Sequence, residues 1–201
     1  MQLKYKKMKK VVFTVCFLAT ICLPAQILPV EDLNEVTGTS VEEQIQGIRH
    51  IKDVNGVLDK YVGTWKGTFD GKQIELVITK LTRDYTEYVQ SYHEGTLLWD
   101  ELMVKHKITQ SNGDVIQNTL DVPEDNPETM MKYKFYDVNT YTFEYYGVNY
   151  RCGDNGILFM RYRNETTITL RYLLRGSTDS SCTGQVERTI PISTTIVLSK
   201  Q

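Results

Sequence analysis

Tyr61-Val62-Gly63-Thr64-Trp65-Lys66-Gly67-Thr68-Phe69-Asp70-Gly71-Lys72-Gln73-Ile74-Glu75-Leu76-Val77-Ile78 is the stretch from which the fold can be read. Tyr61, Gly63, Trp65, Gly67 and Phe69 fall on one face of an extended chain, because side chains alternate with a period of two. Asp70-Gly71 predicts a two-residue hairpin turn, which needs positive φ at both positions. The return strand then sets Ile74, Leu76 and Ile78 on one face, with Glu75 and Thr79 opposite.

The same alternation continues outward to the C-terminus. Runs follow at residues 85–93 and 97–109, and Asn112-Gly113 turns into residues 115–120. Residues 121–128, with Pro123 and Pro127, form the longest break. Beyond it alternate Met131, Tyr133 and Phe135, then Tyr141, Phe143 and Tyr145, then Leu158, Met160 and Tyr162. Ile168, Leu170, Tyr172 and Leu174 come next, and Ile190, Ile192, Ile196 and Leu198 close the chain. About nine or ten strands joined by short turns leave no room for helical crossovers, so an antiparallel meander with one buried face is expected. Closure removes exposed edges, and the expected fold is all-β: a single antiparallel up-and-down barrel over residues 61–201. No repeat of fixed period points to a propeller or solenoid.

Upstream, the pattern differs. Residues 1–25 read as a signal peptide: Lys4, Lys6, Lys7, Lys9 and Lys10 precede an apolar run at residues 11–23, and Pro24-Ala25 offers a cleavage point. That run is shorter than the roughly 20 residues a spanning helix needs, so no stable membrane span is expected after cleavage. Residues 26–60 form an N-terminal extension. In it, Ser40 and Glu43 make a capping-box pattern for a short helix over residues 41–48, and a second helical turn is expected near residues 57–60.

Removing the signal changes the charge. The 201-residue chain has 23 Lys plus Arg and 25 Asp plus Glu, and loses five lysines with the signal, leaving about −7. An acidic chain is a poor partner for nucleic acid, whose affinity comes largely from Lys and Arg. Export to the periplasm, outer surface or exterior is the expectation. Cys152 and Cys182 remain of the four cysteines, and an exported chain with two suggests one disulfide. The alternatives are a free thiol pair or part of a metal site, but no CxxC or HxxxH spacing is present.

Leu58-Asp59-Lys60-Tyr61-Val62-Gly63-Thr64-Trp65 resembles the opening of lipocalin-like and fatty-acid-binding barrels, which begin their first strand with Gly-x-Trp after a helical turn. The resemblance implies that Trp65 closes one barrel end beside an arginine from a late strand, here Arg171, Arg175 or Arg188. Asp70-Gly71 turns straight back, without the two helices that fatty-acid-binding barrels insert, and so favours the up-and-down form. A second resemblance spans nearly the whole chain. The Ala-Gln signal end, Lys52-Asp53-Val54-Asn55, Tyr61-Val62-Gly63-Thr64-Trp65, Cys152-Gly153-Asp154-Asn155-Gly156 and the Ile196 to Gln201 ending look like an uncharacterised family of secreted flavobacterial-type proteins. That likeness implies export and a shared fold but no activity. Cys182 also fits its pattern.

For chemistry, the strand over residues 98–108 carries Asp100 and His106 on the face of Leu98, Leu102, Val104 and Ile108. An unpaired charge there is expensive. The two either orient a ligand in a pocket, or mark a wet strand end or a bulge. At roughly 20 Å apart along the strand they cannot form one dyad. The tyrosines of residues 133–150 either stack a flat ligand or pair across strands in the core. Trp65, Asp100, His106, Tyr133 and Tyr162 are therefore the expected ligand-facing residues, with no catalytic residue, metal or cofactor. His93-Glu94-Gly95 reads as an exposed turn, and Ser177, Ser180 and Ser181 lack a nucleophile-elbow context. The leading expectation is a secreted lipocalin-like protein binding a small hydrophobic or aromatic ligand without catalysis. The alternatives are a cell-envelope or interaction module with a filled barrel and, third, a hydrolytic enzyme. Oligomeric state is not legible.

Overall fold

The structure, a computed structural model, describes residues 27–34, 45–91, 93–123, 135–175, 182 and 188–201. Its strands are β1 (Ile27–Pro29), β2 (His50–Lys52), β3 (Gly63–Phe69), β4 (Lys72–Asp84), β5 (Leu98–Gln110), β6 (Val115–Asn118), β7 (Phe135–Asp137), β8 (Thr140–Tyr146), β9 (Asn155–Asn164), β10 (Thr167–Leu174) and β11 (Thr195–Lys200). A single helical turn, α1 (Thr86–Val89), separates β4 from β5, and 3-10 turns occupy Val30–Asn34, Asp59–Tyr61 and Tyr150–Cys152. The strands form one sheet in the order β1-β2-β5-β4-β3-β11-β10-β9-β8-β7, with β6 also on β5.

The opening hairpin forms as its sequence requires. Asp70 and Gly71 have φ of 46° and 72°, and β3 pairs with β4 so that Trp65 faces Leu76 and Gly67 faces Ile74. Trp65, Ile74, Leu76 and Ile78 are buried together. Each such aliphatic side chain contributes about 2 kcal/mol relative to exposure.

Three expectations need correction. The sheet is mixed, since β1 pairs parallel with β2, and β2 parallel with β5. Tight hairpins force neighbouring strands to run opposite ways, whereas residues 30–49 and 53–97 are long enough to return a strand in the same direction. Residues 85–93 are not a strand. The Asp84 carboxylate accepts the Thr86 N–H (2.8 Å) and its hydroxyl, starting a helical turn that buries Tyr85 and Val89 four positions apart. His93, expected in an exposed turn, is buried, and its Nε2 lies 2.7 Å from the Ile48 carbonyl oxygen. The helix expected over residues 41–48 falls largely outside the described residues; Ile45–Ile48 close a turn. The later helical turn is present at Asp59–Tyr61.

The sheet curls into a half-barrel. Its β5–β6 side is tied to β8 by side chains: Gln117 Nε2 donates to Tyr146 O (2.9 Å), Tyr145 Oη to Gln117 Oε1 (3.0 Å), and Leu102 N–H to Tyr141 Oη (3.4 Å). The turn at Val30–Asn34 lies against β7, so the N-terminal segment spans toward the other end of the sheet. Among the described residues no helix is long and apolar enough to cross a membrane.

Candidate functional site

The concave face is aromatic. Alternation on β8 points Tyr141, Phe143 and Tyr145 inward, and on β10 it does the same for Tyr172. Tyr61 stands edge-on to Tyr162 (5.9 Å), Tyr141 lies 4.9 Å from Phe143, and Tyr145 meets Tyr172 nearly at right angles (5.4 Å, 81°). Gly156 makes the last contact possible. A Cβ there would sit inside the Leu173 carbonyl and 2.8 Å from Tyr172 Cε2.

The expected site residues separate into different surroundings. Trp65 is wholly enclosed, donating its Nε1–H to Tyr61 O (2.8 Å). Among the described residues the cation over its ring is Lys200 (5.2 Å), its cross-strand neighbour on β11, and not Arg171, Arg175 or Arg188. Tyr162 is half-buried under Lys60 Nζ (5.3 Å). Tyr133 lies outside the described residues.

Asp100 and His106 share a face with no register shift between them, yet they belong to different networks. Asp100 Oδ1 accepts from His50 Nε2 (2.8 Å) and Thr82 Oγ1 (2.7 Å), and its Oδ2 from Asp53 N–H (3.0 Å). Burial pushes its carboxyl up, but these hydrogen bonds outweigh it and hold it below the usual range. Asp53 in turn accepts Val57 N–H (2.7 Å), Leu58 N–H (3.2 Å) and Lys80 Nζ (3.2 Å), while Lys80 also reaches Asp59. This network fastens residues 50–60 to the sheet.

His106 opens a second polar cluster. It is 0% exposed, its Nδ1 is 3.2 Å from Thr119 Oγ1, and its ring lies 5.8 Å from that of Tyr145. Burial drives its pKa down to about 4, slightly offset by Gln117. Past Tyr145 stands Asp154, also 0% exposed, whose Oδ2 accepts Thr189 N–H (3.1 Å) and Oγ1 (2.8 Å). Gly147 leaves room for that carboxylate, which occupies the place a Cβ would take. Tyr145 and Tyr172 are both pushed above the ordinary tyrosine pKa, by burial first and by the Asp154 charge second.

Three buried polar atoms of this cluster have no hydrogen-bond partner among the described residues: His106 Nε2, Asp154 Oδ1 and Tyr172 Oη. Native interiors rarely leave such groups unmatched, since each costs about 1–3 kcal/mol. Thr189, Asp154 and Tyr172 were not singled out from sequence; the one signal was Asp154 within the Cys-Gly-Asp-Asn-Gly run. Cys152, two residues before Asp154, forms the disulfide with Cys182 (Cα–Cα 5.5 Å). Among the described residues no group of three His, Cys, Asp or Glu is placed to hold a metal ion.

No curated protein and no solved structure matches this chain. A family model does match, over residues 7–172, which is most of the chain and reaches into β10. The chain belongs to the family of unknown function DUF6705.

Proposed function

We propose that this chain is an exported, lipocalin-like, non-catalytic binding protein of the periplasm, outer surface or exterior, which holds a small ligand with an apolar or aromatic body in the curl of its sheet. The observation that carries this reading is the concave wall of Tyr141, Phe143, Tyr145 and Tyr172 interrupted by three buried polar atoms that lack hydrogen-bond partners among the described residues. Binding sites combine apolar walls with a few placed polar groups in this way. Export is supported by the Cys152–Cys182 disulfide, a bond that persists in oxidising compartments.

Native mass spectrometry of the disulfide-bonded chain, purified without denaturant, tests the reading together with titration by the fluorescent apolar probe 1-anilinonaphthalene-8-sulfonate. A co-purified small molecule, or saturable one-to-one probe binding that quenches Trp65 or Trp99, is the expected result. A bare polypeptide mass with no saturable probe binding overturns it. That outcome favours the second reading, an envelope interaction module whose curl is filled by its own side chains. Its support is the complete enclosure of Trp65, Tyr61 and Tyr145.

A further inference from the structure

We propose that the Asp154–Tyr172–Tyr145 cluster is a recognition site for a protonated amine attached to an apolar or aromatic body. The inference rests on the binding role above and names the chemical group that role selects.

Asp154 supplies one half of the site. Its carboxylate is 0% exposed, and both hydrogen bonds it receives, from Thr189 N–H and Oγ1, go to Oδ2. Oδ1 accepts nothing among the described residues. A carboxylate buried with half its acceptor capacity unused calls for a donor, and a cationic donor most of all. Exposed Arg188 is near enough for its charge to act on Tyr172, but no ion pair joins it to Asp154 among the described residues.

The aromatic rings supply the second half. Tyr145 and Tyr172 meet at 81°, presenting a face and an edge at right angles, and His106 stands 5.8 Å from Tyr145. Perpendicular aromatic rings beside a carboxylate are the arrangement that attracts ammonium groups, through ring quadrupole and charge together. Tyr172 Oη, 1% exposed as a residue and also without a hydrogen-bond partner among the described residues, adds an acceptor for a second N–H. A neutral alcohol satisfies one such acceptor, whereas an ammonium offers three donors and the charge.

The test uses isothermal titration calorimetry on the disulfide-bonded chain with two matched probes, phenethylamine and its neutral counterpart 2-phenylethanol, at neutral pH. The amine is expected to bind at least tenfold more tightly, and Asp154→Asn to erase that preference. Tyr172→Phe, which deletes only the unpartnered hydroxyl, is expected to weaken the amine several-fold while leaving the melting temperature of the free protein unchanged or higher. It keeps the test decisive if Asp154→Asn fails to fold. Equal affinity for the two probes, or a preference that survives Asp154→Asn, overturns the amine assignment and leaves the binding role standing. A marked fall in melting temperature for Tyr172→Phe also overturns it, because the hydroxyl then has a partner within the free fold. If neither probe binds but 1-anilinonaphthalene-8-sulfonate does, the amine inference alone falls. If none binds, both fall.

Discussion

Acid should destabilise this protein through His106, and the size of the effect follows from the structure. The imidazole is enclosed beside Tyr145 and Gln117, with Thr119 at Nδ1 and no partner for Nε2 among the described residues. Burial lowers its pKa from 6.5 to about 4. The unfolded chain takes up a proton near pH 6.5 and the folded chain does not, so between those limits the unfolded state binds more protons. Stability is therefore unaffected above pH 6.5 and falls as the pH drops toward 4. At 1.36 kcal/mol per unit, the total loss is about 3 kcal/mol. That is a large share of the 5–15 kcal/mol typical of a folded domain. Urea unfolding of the disulfide-bonded chain between pH 7.5 and 4 measures it. With a slope of about 2 kcal/mol per molar urea, the midpoint should fall by roughly 1.5 M. Asp84 and Asp100, both held below the usual carboxylate range, lose their contributions at still lower pH, outside this window. His106→Gln removes the titrating group, so its midpoint should stay nearly level across the same range. Parallel profiles for the two proteins, or a His106 imidazole that titrates near 6.5 by NMR, would refute the reasoning.

Two further outcomes follow from the packing. Asp100→Ala strips acceptors from His50, Thr82 and the Asp53 N–H at once. It should cost about 1–3 kcal/mol, and hydrogen exchange should rise over residues 50–58 before it rises in β3 or β4; a uniform rise would show that residues 50–58 are held by other means. Gly67→Ala would drive a Cβ into the Val197 carbonyl and the Leu198 side chain. Because the carbonyl belongs to the neighbouring strand and cannot swing aside, a melting-temperature loss equivalent to about 1–3 kcal/mol is expected, and a neutral result would contradict the β3–β11 register.

The strands were legible where local chemistry and tertiary packing agree. Asp70-Gly71 and the alternation of Ile74, Leu76 and Ile78 each dictate one backbone outcome, and the hairpin has it. Residues 85–93 show the limit of that logic. Tyr85, Glu87, Val89 and Ser91 alternate as a strand would, but Tyr85 and Val89 also fit a helical turn, and the Asp84 carboxylate that accepts the Thr86 N–H two residues on favours the turn. Parallel pairing of β1 and β2 was beyond reach for a different reason. Three-residue strands carry almost no periodic signal, and their partners lie far along the chain.

The site was half legible, and the missing half has one physical cause. A polar residue on an apolar face is visible from sequence, and that contrast marked both Asp100 and His106. What it cannot reveal is whether a partner waits across the curl. Asp100 meets three, from β2, β4 and the start of the following loop, and becomes a fastening; His106 meets Thr119 at Nδ1, with Gln117 nearby, and its Nε2 has no hydrogen-bond partner among the described residues. Asp154 carried no contrast, because an aspartate before Asn-Gly looks like ordinary turn chemistry. Tyr172 counts as apolar in any alternation, so its stranded hydroxyl leaves no trace. Curling the sheet sets these residues around Tyr145, so that the polar atoms left without partners among the described residues lie together. If the interior were merely structural, Phe at 172 and an apolar residue at 106 would pack there at lower cost. Under the proposed binding role those polar groups are used by the ligand, whereas in a filled core they carry an uncompensated cost.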